Sequence, residues 1–217
     1  MKKMVLRILF PALVLGSLGL SAQADTVRYQ VTVNTSSQSG NYGYIDLQLN
    51  QGTLAALPIT ASIAGFAGGI LNPADSNNDS VGASGDLATT LTIPADISTD
   101  YFEGLTYGNT ISFDITLSGT GVNLAGLAGG SSGTTFVLGF YDSAISPLFT
   151  NDSSGATGLI NIANDGSVSV DAFSDPSGGQ SLADFVLTPE PGTLSLFACA
   201  GMAFLLLRRR FASLVIR

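Results

Sequence analysis

Three stretches of this chain alternate apolar and polar residues with a period of two, and that alternation constrains the fold more than any other feature. Val27, Tyr29, Val31 and Val33 are apolar, with Arg28, Gln30 and Thr32 between them. Ile45, Leu47 and Leu49 alternate with Asp46, Gln48 and Asn50, and Ile111, Phe113, Ile115 and Leu117 alternate with Ser112, Asp114 and Thr116. Successive side chains of a strand point to opposite faces, so each stretch predicts a strand with one dry and one wet face. Residues 136–141 are apolar on both faces, which suits a central strand. Residues 159–163 and 168–170 flank Asn164-Asp165-Gly166, a hairpin signal. Weaker strand candidates are 59–66, 87–93 and 185–187, and no amphipathic helix of useful length stands between them. Eight or nine short strands joined by turns predict an all-β fold, an antiparallel β-sandwich or jelly-roll-like single domain. The Gly-, Ser- and Asn-rich residues 68–85, 119–133 and 151–158 read as its loops.

Charge divides the chain into three parts. Lys2, Lys3 and Arg7 open it, and Arg208, Arg209, Arg210 and Arg217 close it. Between residues 25 and 187 the only basic residue is Arg28, against 15 of the 16 acids, so that region carries a net charge of 1 − 15 = −14. Its roughly 160 residues suffice for one domain that buries about 70% of its unfolded surface, with no metal or disulfide needed. Such a surface repels nucleic acid and anionic lipid, which are bound through Lys and Arg. It favours solubility and attracts divalent cations.

Residues 1–24 read as a secretory signal peptide. The positive start precedes an apolar run over 8–20, and Ala22-Gln23-Ala24 places small residues, Ala22 and Ala24, where signal peptidase cuts before Asp25. Residues 188–217 read as a sorting and anchor segment. Pro189-Glu190-Pro191 leads into an apolar run over 194–207, closed by Arg208, Arg209 and Arg210. Fourteen residues of helix cover about 21 Å, a thin transmembrane helix against a hydrocarbon core of about 30 Å. The arginines would hold its far end in the cytoplasm and leave residues 25–187 outside.

The order Pro-Glu-Pro, short apolar helix, Arg cluster resembles the PEP-CTERM sorting signal. The body is similar to a family of uncharacterised PEP-CTERM proteins in GYIDLQLN, TISFDITLSG, TTFVLGFYDSAISPLFT and NDGSVSV. The resemblance implies an exosortase substrate, exported to the outer surface or extracellular matrix of a Gram-negative-type bacterium that makes exopolysaccharide, as in biofilms. It implies exosortase and signal peptidase as processing partners, with transient membrane anchoring through the C-terminus. It carries no molecular activity.

Catalytic chemistry is largely excluded by composition. The chain has no histidine, which rules out Ser-His-Asp triads and His-ligated zinc. Residues 25–187 contain no lysine or cysteine, so Schiff bases and thiol chemistry are also ruled out there. Carboxylate pairs remain conceivable, but nothing in the spacing selects one from the 15 acids, of which Glu103 is the only glutamate. The expectation is therefore no enzyme and no cofactor. One cluster bears on calcium: Asp75, Asn77, Asp79 and Asp86 fall at positions 1, 3, 5 and 12 of a twelve-residue stretch, as oxygen ligands do in a calcium loop. Ser80 replaces the loop glycine and Asp86 the usual Glu, so an EF-hand is not expected. A solvated acidic turn is the competing reading. The expected function is a structural or interaction protein of the cell surface or matrix. The alternative is a carbohydrate-binding module, with or without calcium, for which Tyr42, Tyr44, Tyr101, Phe102 and Tyr107 would be the stacking residues. Extracellular polysaccharide is the corresponding partner. Core or strand-edge packing is the competing role for those five rings.

Overall fold

Each period-two stretch becomes a strand because one row of its side chains has a core to enter. The computed structural model describes residues 26–52, 58–96, 99–122, 133–163 and 167–188. Among them eleven strands run in chain order: β1 (Thr26–Asn34), β2 (Tyr42–Gln51), β3 (Thr60–Leu71), β4 (Asp79–Val81), β5 (Ser84–Gly85), β6 (Thr90–Pro94), β7 (Asp100–Ser118), β8 (Thr134–Asp142), β9 (Ala156–Ile162), β10 (Val168–Ala172) and β11 (Ala183–Thr188). All named strands pair antiparallel. The fold is all-β, with short 3-10 turns at Ser36–Gln38 and Thr120–Val122.

The sheet runs β10-β9-β8-β2-β7-β3-β6-β5. Its organiser is β7, whose 19 residues carry two sets of neighbours. The first half pairs β2, from Tyr42↔Thr106 to Gln48↔Asp100, and β4 pairs its other edge at Asp79↔Phe102. The second half pairs β1, from Thr26↔Ser118 to Asn34↔Thr110, and β11 lies beyond β1. β3 follows the opposite edge along both halves, with register shifts between Ala64 and Gly69. The exchange of partners therefore falls on one line, through Thr35, Gly108 and residues 65–68. There the backbones nearly touch: a Cβ on Gly68, at φ +92°, would lie 1.7 Å from the Thr110 carbonyl oxygen, and one on Gly108 would lie 1.8 Å from that of Gly68.

Burial keeps its parity across this crease. Tyr101, Leu105 and Tyr107 before it, and Ile111, Phe113, Ile115 and Leu117 after it, all face one core with Ile45, Leu47, Leu49, Phe136, Leu138 and Phe140. The hairpin is present as β9–β10, paired at Val168↔Ile162, although its turn residues 164–166 lie outside the described residues. Three expectations need correction, the first being the loop over 151–158, whose residues 156–158 open β9. Residues 68–85 are not simply loop, since they hold the end of β3 together with β4 and β5; these short strands take their order from neighbours, not from their own composition. The strand predicted around Ile111 extends back to Asp100. Ala22, Ala24, Pro189, Glu190, Pro191, Arg208, Arg209 and Arg210, with the segments they belong to, lie outside the described residues.

Candidate functional site

The sheet face turned away from the core, on the half built from β10, β9, β8, β2 and the start of β7, gathers the unusual side chains. On β2 the residues between the core positions are Tyr42, Tyr44, Asp46, Gln48 and Asn50. Their neighbours on β7 are Phe102 and Asp100, paired with Asp46 and Gln48. On the other side β8 places Tyr141 opposite Tyr44 and Gly139 opposite Asp46. Four rings result in one row. Tyr42 meets Tyr44 edge-on at 5.6 Å, Tyr44 stacks on Phe102 at 4.8 Å, and Phe102 meets Tyr141 at 5.9 Å. Glycines beneath make room: a Cβ on Gly104 would lie 2.0 Å from the Tyr42 hydroxyl, and one on Gly139 would lie 3.0 Å from the Tyr141 ring.

Beside the rings sit two carboxyl groups short of donors. Asp46 is 7% exposed, and Gln48 Nε2 donates to its Oδ2 at 2.9 Å. Its Oδ1 and the Oδ1 of Asp100 are buried with no hydrogen-bond partner. Burial, reinforced by the charge of Asp100, pushes the Asp46 carboxyl up to about 6, against the pull of the Gln48 bond and of the nearby Tyr141 hydroxyl. Asp100 is raised by burial and by the charge of Asp79. No basic side chain relieves either group, because Arg28 is engaged elsewhere, donating to Asp114 at 2.7 Å across β1 and β7. From Asp46 a line of neutral groups leads outward: Asn50 Nδ2 donates to Gln48 Oε1 at 3.0 Å. Further across the sheet, Thr135 donates to Asn161, and Asn161 to Asp171, at 3.0 and 2.8 Å.

Of the five aromatics anticipated from sequence, Tyr42, Tyr44 and Phe102 meet on this face. Tyr101 and Tyr107 do not: they point into the core at 7% and 2% exposure. The period-two rule explains the division, since odd positions of β7 face inward. The Tyr107 hydroxyl donates to the carbonyls of Tyr44 and Tyr141, both at 2.9 Å, and so ties β2 to β8 from inside. The Tyr101 hydroxyl donates to Glu103, a carboxyl raised by burial. Tyr141, which closes the aromatic row, was hidden within an all-apolar run; its odd position, alternating with Phe136, Leu138 and Phe140, was the available signal.

The four candidate calcium ligands serve other partners. Asp75 accepts from the Tyr42 hydroxyl and from the Asn77 backbone N–H, which hold its carboxyl below the usual range. The Asn77 amide donates to the Tyr44 hydroxyl at 2.7 Å. Asp79 accepts from its neighbour's N–H in Ser80, and Asp86 from the N–H and hydroxyl of Thr89. Asp75 and Asn77 thus strap the loop after β3 onto the aromatic row. Asp79 and Asp86 instead line a cavity of about 200 Å³ with Glu103 and Tyr101. Among the described residues no group of three or more acidic, His or Cys side chains is placed to hold a metal. Comparison with protein-family models, curated proteins and solved structures gives no match.

Proposed function

We propose that this chain is an exported interaction protein of the bacterial cell surface or extracellular matrix, non-enzymatic, which makes its contacts through the aromatic and amide-rich outer sheet face. The observation that carries the reading is that face. It groups the half-buried rings of Tyr42, Phe102 and Tyr141 with neutral amides and carboxyls, in a body with no histidine and no lysine. Delivery rests on the two ends: signal peptidase acting after Ala24, and an exosortase acting at Pro189-Glu190-Pro191 while the 194–207 helix and Arg208, Arg209 and Arg210 hold the chain in the membrane. The creased sheet, with β7 serving both halves around one core, supports reading the fold as a β-sandwich.

Two epitope tags test the delivery, one inserted after Ser131 and one after Arg217. The expected mature surface form starts at Asp25 by N-terminal sequencing, keeps the Ser131 tag and has lost the other. Replacing Pro189, Glu190 and Pro191 by alanine should restore the Arg217 tag. A mature form that retains Met1, or a protein confined to the cytoplasm, would refute export.

A further inference from the structure

The outer face carries a more specific assignment, which rests on the surface reading above. Phe102 and Tyr141 flank Asp46: Phe102 is its cross-strand partner on β7, and Tyr141 lies over Gly139, its partner on β8. Both rings are half-buried and their centroids are 5.9 Å apart, so they offer an apolar step, which Val137 and Leu159 extend across β8 and β9. From that step the Gln48 and Asn50 amides continue along β2, and Thr135, Asn161 and Asp171 continue across β8, β9 and β10. Four strand spacings from β7 to β10 make a strip of about 19 Å, long enough for several sugar units.

The chemistry of the strip selects its occupant. Two buried carboxyl oxygens, Asp46 Oδ1 and Asp100 Oδ1, have no donor, and an unmet buried acceptor is costly. The ligand that suits them supplies hydroxyl donors. Tyr141 lies over Gly139 with its hydroxyl close enough to pull on the Asp46 carboxyl, the place that a ligand hydroxyl would take. Charge narrows the class further. Residues 25–187 contain one base, Arg28, already paired with Asp114, against 15 acids, so an anionic polymer is repelled. We infer that this strip binds an uncharged polysaccharide lying across the strands, with one sugar against Phe102 and Tyr141 and its hydroxyls donating to Asp46 and the Gln48 and Asn50 amides. Rings stack on the apolar faces of sugars, while amides and carboxylates read the hydroxyls.

Native gels containing β-glucan, galactomannan, dextran or alginate, run with the exported protein in EDTA, test this. At least one neutral polymer should retard the protein and alginate should not. Phe102→Leu and Tyr141→Ala should each weaken the retardation about ten-fold, with Val186→Thr on β11 behaving as wild type. Thermal melts establish that each variant is folded, and Gln48→Ala replaces any that is not. Retardation by none of the neutral polymers, equal retardation by alginate, or neutral binding indifferent to these substitutions would overturn the site. Those outcomes leave the tag experiment untouched, so the failure of the site and the failure of export are separable.

Discussion

Asp46 is the residue at which the outer face departs most from a solvated sheet. Its carboxyl titrates near 6 in the fold, against about 3.9 in an unfolded chain, because burial and Asp100 disfavour its charge. For an acid raised in this way the sign is clear. Below about pH 4 the group is protonated in both states and costs nothing. Between about pH 4 and 6 the unfolded chain ionises while the fold resists, so stability falls as pH rises, and above 6 the loss is complete. Two pH units correspond to on the order of 3 kcal/mol. Asp46→Asn should therefore raise stability at pH 7.5 by about 2–3 kcal/mol and remove that part of the pH slope. Urea melts at pH 4.5 and 7.5 measure both, and parallel pH responses in the two proteins would show that Asp46 is not the titrating group. At this scale the sequence marked Tyr42, Tyr44 and Phe102 as aromatics worth weighing. It could not mark the donor shortage at Asp46, which arises from strands 50 residues apart.

β7 is the element that decides the architecture. Its odd positions face the core from Tyr101 to Tyr107 and again from Ile111 to Leu117, with Asn109 exposed between, and its partners change at Gly108, because β1 and β2 take successive lengths of one edge. The change is possible only where two backbones approach without side chains. Gly68 should therefore be intolerant: Gly68→Ala puts a Cβ 1.7 Å from the Thr110 carbonyl at φ +92°, and a loss of about 3 kcal/mol or more is expected in chemical unfolding. Gly178 is the control, with φ +81° but nothing within 4 Å, so Gly178→Ala should cost only about 1 kcal/mol. Equal costs at the two sites would mean that the crease is not a close contact. The strands around Val31, Leu47 and Phe113 were legible because period-two burial is local. β4 and β5 were not, because a strand of two or three residues has no period, and its identity lies in the neighbour it borrows.

At the scale of the whole molecule, the acidic body is predicted to stand without metal. Both oxygens of Asp75 accept hydrogen bonds, from Tyr42 on β2 and from the Asn77 N–H, and Oδ1 of Asp86 accepts from Thr89, so calcium at millimolar concentration should shift the melting temperature by less than about 1 °C, and EDTA likewise. A calcium-dependent rise abolished by Asp75→Ala would return the loop to the role its spacing suggests. By itself the sequence determined the all-β class, the inward rows of most strands, the placing of the hairpin turn and the absence of histidine, lysine and thiol chemistry from the body, because alternation and composition are properties of a chain read residue by residue. Only the tertiary structure decided that β7 joins two sets of partners at a glycine crease, that Tyr101 and Tyr107 turn into the core while Tyr141 completes the outer row, and that Asp46 and Asp100 lie together, each with a buried Oδ1 that has no hydrogen-bond partner. Those outcomes depend on which strands become neighbours, and pairing is settled by the burial of one shared core, which no single segment encodes.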